Sequence, residues 1–396
     1  MLDFRKLMVQ IEQVGSDSFD DTLSARNALE NGKKVFSEAI QSQEAFVQRL
    51  QADMGWTLWP VALPLEDLLQ ADVVPLCRDP VTVVGVDGSQ IMPSHHEVHN
   101  CFLLNIGSAV ITYGAKQPAL LESEPRLYHR PEDLYPLVDR RRLHIDELYV
   151  SLERMLLEFD TLVTLSLRAQ QRGVPVIALV DGSLIPWSLE KMPDSYQDLY
   201  LQRMSSAIEE LQMASIPLIG YLSHSRSSDV VNDLRVFACP YDSSHCRDYC
   251  GDINEEDFPC SSIWPLTDRQ LMARSLNFGQ RTGSFLSGAS VAKRLAADHR
   301  VCFCYLHVGK EITRLEFPRW LLGDRTLFHL ALSAVLSQVD KGMGYPVCLA
   351  EAHHLAVIRG PDRQRFFELI TRQLVSVGVS TVKLSPKESR KRTSFI

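Results

Sequence analysis

The chain has 396 residues, 45% of them hydrophobic, and a formal net charge of −8 at pH 7. This length and apolar content are ordinary for a folded globular protein with one large core or two smaller ones. The negative charge excludes a protein that coats nucleic acid through bulk charge, but it permits an enzyme with a local basic groove. No run of about 18 apolar residues occurs, so we expect no membrane span.

Two features of the sequence bear on the cellular compartment. The first six residues, Met1 to Lys6, lack the apolar core of a signal peptide. The nine cysteines are odd in number and unevenly spaced, which argues against a secreted disulfide framework. The sequence therefore predicts a cytoplasmic protein.

The first 55 residues form a polar segment with apolar residues at roughly helical spacing, such as Leu23, Val35 and Phe46. This pattern predicts an N-terminal helical hairpin, either packed on the main domain or extended as an arm for a partner, with packing favoured. The prolines from Pro60 to Pro80 then mark a connecting segment. We expect a main domain over residues 56–380 and a basic tail over residues 381–396.

Two runs of apolar, mostly β-branched residues end in Asp-Gly-Ser. The first covers residues 83–89 and the second covers residues 176–183. Each run is short and is followed by a glycine, which predicts a strand buried on both faces and closed by a glycine turn. A carboxylate at the end of such a strand needs a compensating charge.

The remaining elements predict an α/β fold with a mixed β-sheet flanked by helices. Residues 98–113 and the stretch around 127–128 extend the first run into an antiparallel meander. A helix over 132–171, broken near Pro136, precedes the second run. Further expected elements are strands at 216–223, 301–308 and 312–317, and helices at 229–236, 325–340 and 361–378. Residues 239–260 form a Cys-rich loop inserted in this order.

The two strand-end carboxylates, Asp87 and Asp181, are candidate ligands of a divalent cation. Hydrolysis of a phosphodiester with metal assistance needs oxygen ligands that hold Mg²⁺ or Mn²⁺. The helix before the second run offers Glu153 or Glu158 as a third carboxylate. A single Asp-Gly-Ser is more typical of a turn, but two copies on similar strands favour a site.

A second candidate segment covers residues 344–354, where Tyr345 and Pro346 precede His353. Pro346 suits the first turn of a helix. A neutral histidine ligates metal or transfers a proton, and a tyrosine hydroxyl donates to a phosphate or orients a water. Taken alone, the pattern is more typical of a helix with a histidine that caps a group in the core.

Four of the nine cysteines, Cys239, Cys246, Cys250 and Cys260, fall within 22 residues, beside His245. Clustered thiols in a cytoplasmic protein indicate a Zn²⁺ site or an iron–sulfur cluster. The spacing contains no Cys-x-x-Cys pair, so reactive or packed cysteines remain the alternative.

Two weaker signals follow later in the chain. Ser223 and Arg226, after the third strand, could contact a substrate phosphate or could cap a helix. Arg314 and Glu316 lie on one face of a strand, where an internal ion pair is the simpler interpretation. The sequence has no phosphate-binding Gly-rich loop and no serine-hydrolase motif.

Together, these motifs resemble those of the NurA nucleases over about residues 80–370. The matching set, in order, is Asp87-Gly88-Ser89, Arg154-x-x-Leu157-Glu158, Asp181-Gly182-Ser183-Leu184, Arg314-x-Glu316-x-Pro318 and Tyr345-Pro346 with Ala352-His353. The chain departs from the family at the third strand, where a lysine is common and His224 or Arg226 stands here. The Cys-rich loop is not part of the family pattern.

The resemblance implies a ribonuclease H-like fold and Mn²⁺- or Mg²⁺-dependent exonuclease and endonuclease action on DNA. Its implied site comprises Asp87, Glu158, Asp181 and His353 as metal ligands, with Tyr345 as a further catalytic residue. Glu153 is the reserve for Glu158. The resemblance also implies DNA end processing in double-strand break repair, with a HerA-type hexameric DNA translocase as partner and a homodimeric nuclease.

Two other classes of protein remain open at this point. The chain could be a catalytically weak scaffold that docks a DNA translocase and uses the Cys-rich loop for binding. It could also be a glycosidase with two carboxylates and no metal, although Trp187 is the main aromatic near Asp87 and Asp181 in sequence. The full set of four site residues favours the nuclease.

Overall fold

The computed structural model describes residues 3–93, 100–138, 140–143 and 145–378. Its strands are β1 (Leu63–Pro64), β2 (Ala71–Val73), β3 (Val81–Ile91), β4 (Phe102–Tyr113), β5 (Leu120–Tyr128), β6 (Leu137–Val138), β7 (Arg141–Arg142), β8 (Val176–Asp181), β9 (Leu218–Leu222), β10 (Gln280–Thr282), β11 (Phe285–Leu286), β12 (Val301–His307) and β13 (Ile312–Pro318). Its helices are α1 (Phe4–Gln41), α2 (Gln43–Asp53), α3 (Pro131–Leu134), α4 (Glu147–Gln170), α5 (Asp194–Met213), α6 (Asp229–Phe237), α7 (Cys246–Cys250), α8 (Asp268–Met272), α9 (Arg325–Lys341), α10 (Val347–Ala356) and α11 (Gly360–Ser376).

The chain divides into two compact units. Unit 1 comprises residues up to 75 together with 221–319, and unit 2 comprises residues 76–220 together with those from 320 onward. None of the described helices is long and apolar enough to cross a membrane. The basic tail predicted at 381–396 lies outside the described residues.

Unit 2 is built on a mixed sheet in the order β8-β3-β4-β5. Strands β3, β4 and β5 form the predicted antiparallel meander, and β8 pairs in parallel with β3. Helix α4 lies between β5 and β8 in the chain, as a parallel connection requires. The predicted α/β class, with a mixed sheet flanked by helices, is confirmed.

The first Asp-Gly-Ser does not end its strand, contrary to the prediction. β3 continues through Gly88 to Ile91, because β4 pairs with it along its whole length, from Val81↔Tyr113 to Ile91↔Leu103. Its parallel pairing with β8 stops at Val86↔Val180. β8 does end at its Asp-Gly-Ser, where Gly182 has a φ of 113° that favours glycine.

The helix predicted over 132–171 is shorter than expected. The described part of this segment holds the four-residue α3, the β6–β7 ribbon, and then α4 from Glu147. Asp146 sets this start, because its side chain accepts a hydrogen bond from the Tyr149 amide at 2.8 Å. The prediction also missed α5, whose buried face includes Tyr196 and Tyr200.

Unit 1 combines antiparallel strands with helices from both of its chain segments. The predicted strands β12 and β13 form a hairpin, and β11 and β10 pair with β12. Residues 4–53 are helical apart from Ser42, and Phe46 and Leu50 are fully buried in the same core as Phe303. The N-terminal helices therefore contribute to the core of this unit.

Candidate active site

Asp87 and Asp181 occupy equivalent positions on neighbouring parallel strands of unit 2. The last paired residues of β3 and β8 are Val86 and Val180, and each aspartate is the next residue of its strand. In-register neighbours on parallel strands point to the same face, so the two carboxylates lie side by side. The Gly88 amide donates a 2.8 Å hydrogen bond to Asp87 Oδ1, which holds that carboxylate at the strand.

His353 reaches Asp87 from helix α10. Its Nδ1 lies 2.7 Å from Asp87 Oδ2, although the two residues are 266 positions apart in sequence. The imidazole remains 56% exposed, whereas the Asp87 side chain is 16% exposed. A hydrogen bond through Nδ1 leaves Nε2 open for a ligand or a proton.

Contacts with the sheet fix the position of α10. Gly107, which pairs with Asp87, lets the helix approach so closely that a Cβ there would lie 2.1 Å from the Ala352 carbonyl oxygen. The Asn105 amide donates to the carbonyls of Leu355 and Ala356 at 3.1 and 2.8 Å, where the helix ends. These bonds satisfy two C-terminal carbonyls that the helix leaves unpaired.

Asn105 is a positioning residue that the sequence analysis missed. It is 8% exposed on β4, and a buried amide within an apolar strand requires a hydrogen-bond partner. That signal was present in the run 102–113, but the sequence does not show which group the amide meets.

Glu158 on α4 lies next to Gly88, on the face of the sheet opposite to α10. Side chains alternate along a strand, so Gly88 faces away from the side to which Asp87 points. A Cβ at Gly88 would lie 2.4 Å from Glu158 Oε1, so the glycine makes room for this carboxylate. Arg154 Nη1 donates to Glu158 Oε1 at 2.8 Å and to the Gly88 carbonyl at 2.7 Å.

Glu153, the reserve for the third carboxylate, is bound elsewhere. Its Oε1 accepts a 2.8 Å hydrogen bond from the Tyr196 hydroxyl, and its Oε2 lies 3.4 Å from Arg203. The structure therefore brings Glu158 rather than Glu153 to Asp87 and Asp181.

The three carboxylates influence one another electrostatically. Burial, together with the charges of Asp87 and Asp181, raises the pKa of Glu158 to about 7, although Arg154 acts in the opposite direction. Asp181 ends β8 at the solvent, yet the protein packed around its carboxyl raises its pKa, and the charge of Asp87 adds to this effect. Like charges held together in this way favour a bound proton or a bound cation.

Tyr345 lies just before α10, and Pro346 caps the helix rather than entering its first turn. The Tyr345 hydroxyl donates to the Asp181 carboxylate, and this hydrogen bond lowers the pKa of that carboxyl against the effect of burial. Tyr345 and His353 thus each contact one of the two strand-end aspartates.

The other predicted contact residues belong to unit 1. Ser223 Oγ donates to Glu311 Oε1 at 2.9 Å. Arg226 is exposed and lines a cavity of about 470 Å³ with Arg235 and Trp264. The four clustered cysteines line a second cavity of about 20 Å³.

In the described ranges, no group of three or more His, Cys, Asp and Glu side chains is already spaced to hold a metal ion. The cysteines of the described chain are free thiols.

Comparison with known proteins identifies the chain. A family model described as the NurA domain matches residues 81–358, which is more than half of the sequence. The chain belongs to the NurA family. The match includes all residues of the Asp87 site, by which we mean Asp87, Glu158, Asp181, Tyr345 and His353.

Solved structures of NurA proteins are also similar to the chain. The NurA nuclease from Sulfolobus solfataricus is 13% identical, with a TM-score of 0.45, over 91% of this chain and 97% of that one. A second NurA crystal structure is 12% identical, with a TM-score of 0.38, over 92% of this chain and 97% of that one. No curated protein matches the sequence.

Proposed function

We propose that this NurA-family protein is a divalent-metal-dependent DNA nuclease with its centre at Asp87, Asp181 and Glu158. The observation that carries the proposal is that Asp87 and Asp181 each follow the last paired residue of neighbouring strands, and that the charges of both act on the pKa of Glu158 on α4. Burial raises the pKa of Asp181 and raises that of Glu158 to about 7, and the charge of Asp87 adds to the rise in both. Family membership adds support, because the matching region contains all three residues.

The donor atoms of these residues are of the kind that a hard divalent cation binds. Carboxylate oxygens are the ligands that Mg²⁺ and Mn²⁺ prefer, and an imidazole at the edge of the site suits Mn²⁺. The site has more acidic groups than cations, since Arg154 pairs with Glu158 while Asp87 and Asp181 have His353 and Tyr345 beside them. A bound metal would polarise the phosphodiester and activate a water.

His353 and Tyr345 have distinct roles in this proposal. His353 holds Asp87 through Nδ1 and keeps an exposed ring edge. It can therefore ligate through Nε2 or transfer a proton to the leaving oxygen. Tyr345 orients the Asp181 carboxylate through its hydroxyl, which fixes the direction of the free oxygen.

A matched pair of variants on α4 tests the proposal. We expect wild-type protein to cleave linear DNA with Mn²⁺ and to lose activity with a chelator. Glu158→Gln should reduce cleavage by about 10²-fold or more and weaken Mn²⁺ binding in calorimetry, because it removes a ligand. Glu153→Gln, five residues earlier on the same helix, should retain most of both. Cleavage that needs no metal, or equal losses in the two variants, would refute the proposed centre.

We extend the proposal to DNA end processing by a homodimer that works with a HerA-type translocase. Support for these partners comes from the family resemblance. Native mass spectrometry of the purified protein would test the dimer. Co-purification with a co-expressed HerA-type hexamer would test the partnership, and separate elution of the two proteins would contradict it.

A further inference from the structure

Strand β5 forms an open edge of the unit 2 sheet. It pairs with β4 along one side, from Phe102↔Tyr128 to Val110↔Leu120, and no other described strand pairs with its second side. Residues 121–127 are exposed without interruption, so the strand is uncovered on both faces as well as along this edge. An edge of this length offers unpaired backbone groups to another strand.

The hydrogen bonds of the sheet show which residues of β5 turn their backbone groups toward the open edge. The Thr82 amide on β3 donates to the Pro175 carbonyl beside β8, so the even-numbered residues of β3 bond toward β8. Alternation then directs odd-numbered residues of β3 to β4, and even-numbered residues of β4 and β5 to each other. The outward set in β5 is therefore Leu121, Ser123, Pro125 and Leu127.

Pro125 fits this arrangement, because a proline has no N–H and the missing donor lies at the open edge rather than against β4. A proline and charged side chains commonly protect an edge strand from pairing, and this is the alternative interpretation of β5. The order of the side chains around Glu124 favours pairing instead, because it is complementary to the same strand read in the opposite direction.

A second copy of β5 is complementary to the first when the two run antiparallel with Glu124 opposite Glu124. Leu121 then lies opposite Leu127 of the second copy, and Glu122 lies opposite Arg126 of the second copy. The two-fold axis makes each of these contacts twice. Leu121 is 47% exposed and Leu127 is 42% exposed, so their contact removes apolar surface from water. Apolar and oppositely charged pairs in these positions stabilise a sheet.

The two kinds of contact lie on opposite faces of the strand. Ser123 Oγ donates to Asn105 Oδ1 at 3.0 Å, and Asn105 also contacts α10, so Ser123 and the two leucines face α10. Glu122 and Arg126 therefore lie on the other face. Glu122 is exposed and has no hydrogen bond or ion pair within the described part of the chain, so its carboxylate is available to a cation of a second copy.

The centre of the pair brings the two Glu124 carboxylates near each other. Arg126 Nη2 lies 3.1 Å from Glu124 Oε1 in the same strand, so each glutamate keeps a guanidinium beside it. Each Arg126 then lies between its own Glu124 and Glu122 of the second copy. The charged face of the pair thus alternates acids and guanidinium groups, which offsets the repulsion at the axis.

We propose that β5 pairs with β5 of a second copy, antiparallel and centred at Glu124, so that one continuous sheet runs through both copies. Leu121 and Leu127 exchange both backbone hydrogen bonds across the pair, and the Ser123 carbonyl, which faces Pro125, lacks a donor. The same surface on both copies forms the interface, which closes at a dimer. The proposal rests on the homodimer proposed above and specifies its contact surface, but it does not depend on the nuclease chemistry.

Disulfide trapping of the full-length protein tests the register. Directly opposite residues in a pair without mutual hydrogen bonds have Cα atoms about 4.5 Å apart, which a disulfide spans. Glu124→Cys should therefore give a covalent dimer under mild oxidation, above the background of the wild-type cysteines. Glu122→Cys is the control on the same face, because the two copies of residue 122 lie about 13 Å apart along the strands. Equal cross-linking of the two variants, or none in Glu124→Cys, would overturn the proposal.

A charge swap measures the contact between Glu122 and Arg126. Glu122→Arg or Arg126→Glu alone places like charges opposite each other twice, and we expect the Kd of the dimer to rise about tenfold. The double variant Glu122→Arg/Arg126→Glu restores opposite charges and should restore the wild-type Kd. Glu209→Arg makes the same change of charge on an exposed part of α5 and should leave the Kd unchanged. Analytical ultracentrifugation over a range of protein concentrations gives these values.

The results separate this interface from the other proposals. A wild-type dimer that neither single charge variant weakens would overturn the interface and leave the homodimer standing. A wild-type protein that is monomeric at every concentration would overturn both. Mn²⁺-dependent cleavage that Glu158→Gln abolishes would support the nuclease in either case, because its carboxylates lie outside β5.

Discussion

Each unit of the protein contains a cluster of carboxylates, and the two clusters differ in what neutralises them. In unit 1, Arg314 Nη1 donates to Asp229 at 2.8 Å and Arg314 Nε donates to Glu316 at 2.8 Å. Tyr305 links this Arg314 network to Asp268 through a 2.6 Å hydrogen bond. Arg314 and Glu316 are each 1% exposed, and the ion pair predicted between them is confirmed.

Among the described residues, the Asp87 site of unit 2 has no comparable guanidinium between its two aspartates. Asp87 is paired with an imidazole that is 56% exposed, and Asp181 accepts from a tyrosine hydroxyl. The Arg314 network encloses its own cation within the core, while the Asp87 site reaches solvent at Asp181 and at the imidazole of His353. The contrast teaches that acidic residues alone do not indicate a metal site, because a buried guanidinium can lie between them.

The largest difference between the two clusters should appear when an aspartate of each is replaced by asparagine. Asp87→Asn, like Asp181→Asn, should reduce Mn²⁺-dependent cleavage by about 10³-fold or more, because each removes a metal ligand. The Tm of the metal-free variant should be unchanged or slightly higher, since repulsion is relieved. Asp229→Asn should instead lower the free energy of unfolding by about 3 kcal/mol, because buried Arg314 loses a partner.

Cleavage of linear DNA and denaturant unfolding of all three variants measure this contrast. Full activity in both Asp87→Asn and Asp181→Asn would place the site elsewhere. Unchanged stability in Asp229→Asn would mean that the Arg314 network contributes little.

The adjacent histidines of α10, His353 and His354, allow a test of the role of His353 in the Asp87 site. His353→Ala should lower kcat by about 10²-fold and change DNA binding little, because proton transfer acts mainly in the transition state. His354→Ala is the control, since its side chain points about 100° away around the helix. Steady-state kinetics with a binding assay separate the two effects. Equal losses in the two variants would exclude a specific role for His353.

The variant Gly88→Ala tests whether the space left by the missing side chain of Gly88 positions Glu158. In Gly88→Ala the new Cβ would meet Glu158 Oε1 at 2.4 Å, so the carboxylate must move. A displacement of about 1 Å at a reacting centre lowers the rate by up to about 10²-fold, and we expect a loss of about 10-fold with Mn²⁺ binding weakened. Gly323→Ala, where a Cβ would meet nothing within 4 Å, is the control. Normal cleavage by Gly88→Ala would show that the contact does not matter.

The smallest expected effect is a dependence of stability on pH. Each cluster holds a carboxyl with a pKa of about 7, Glu158 in unit 2 and Asp268 in unit 1. Burial is the main cause in both, and it raises the folded-state pKa above the unfolded one. Each group therefore stabilises the fold at low pH, and this stability is lost as pH rises through about 7. We expect the Tm of metal-free protein to fall by a few degrees between about pH 5 and pH 8.

Mn²⁺ separates the two contributions to this pH dependence. Bound Mn²⁺ should remove the pH dependence of the Tm that comes from Glu158, as Glu158→Gln also does, because the metal competes with the proton. Mn²⁺ should not change the pH dependence of the Tm that comes from Asp268, which Asp268→Asn removes. Thermal melts across pH with and without Mn²⁺ make this comparison. A pH profile that Mn²⁺ does not change would contradict a metal at Glu158.

Much of unit 2 could be predicted from local sequence. β-branched runs identified β3 and β8, and the Asp-Gly-Ser motif shared by the two runs predicted that Asp87 and Asp181 lie together. The hairpin of β12 and β13 in unit 1 also followed from its sequence, with Gly309 between the strands. These features succeed because neighbours in sequence decide them, through strand propensity and turn geometry.

The boundaries of β3 and α4 were wrong for a physical reason. The extension of β3 beyond Asp87 depends on its pairing with β4, which a strand pattern alone does not reveal. The start of α4 depends on the cap at Asp146 rather than on apolar periodicity. Helix α5 was missed although its packed face is rich in aromatic residues.

The sequence by itself determined which acidic residues follow the apolar runs and which other residues were candidates for the same site. Tertiary structure decided which acids are neutralised by a guanidinium, since Arg314 meets Asp229 across 85 positions, whereas His353 meets Asp87 across 266. It also decided that Glu158 contacts Gly88 whereas Glu153 contacts Tyr196, because these contacts join residues distant in sequence. Charge pairing acts over a few ångströms in space, so the spacing of residues along the chain does not determine it.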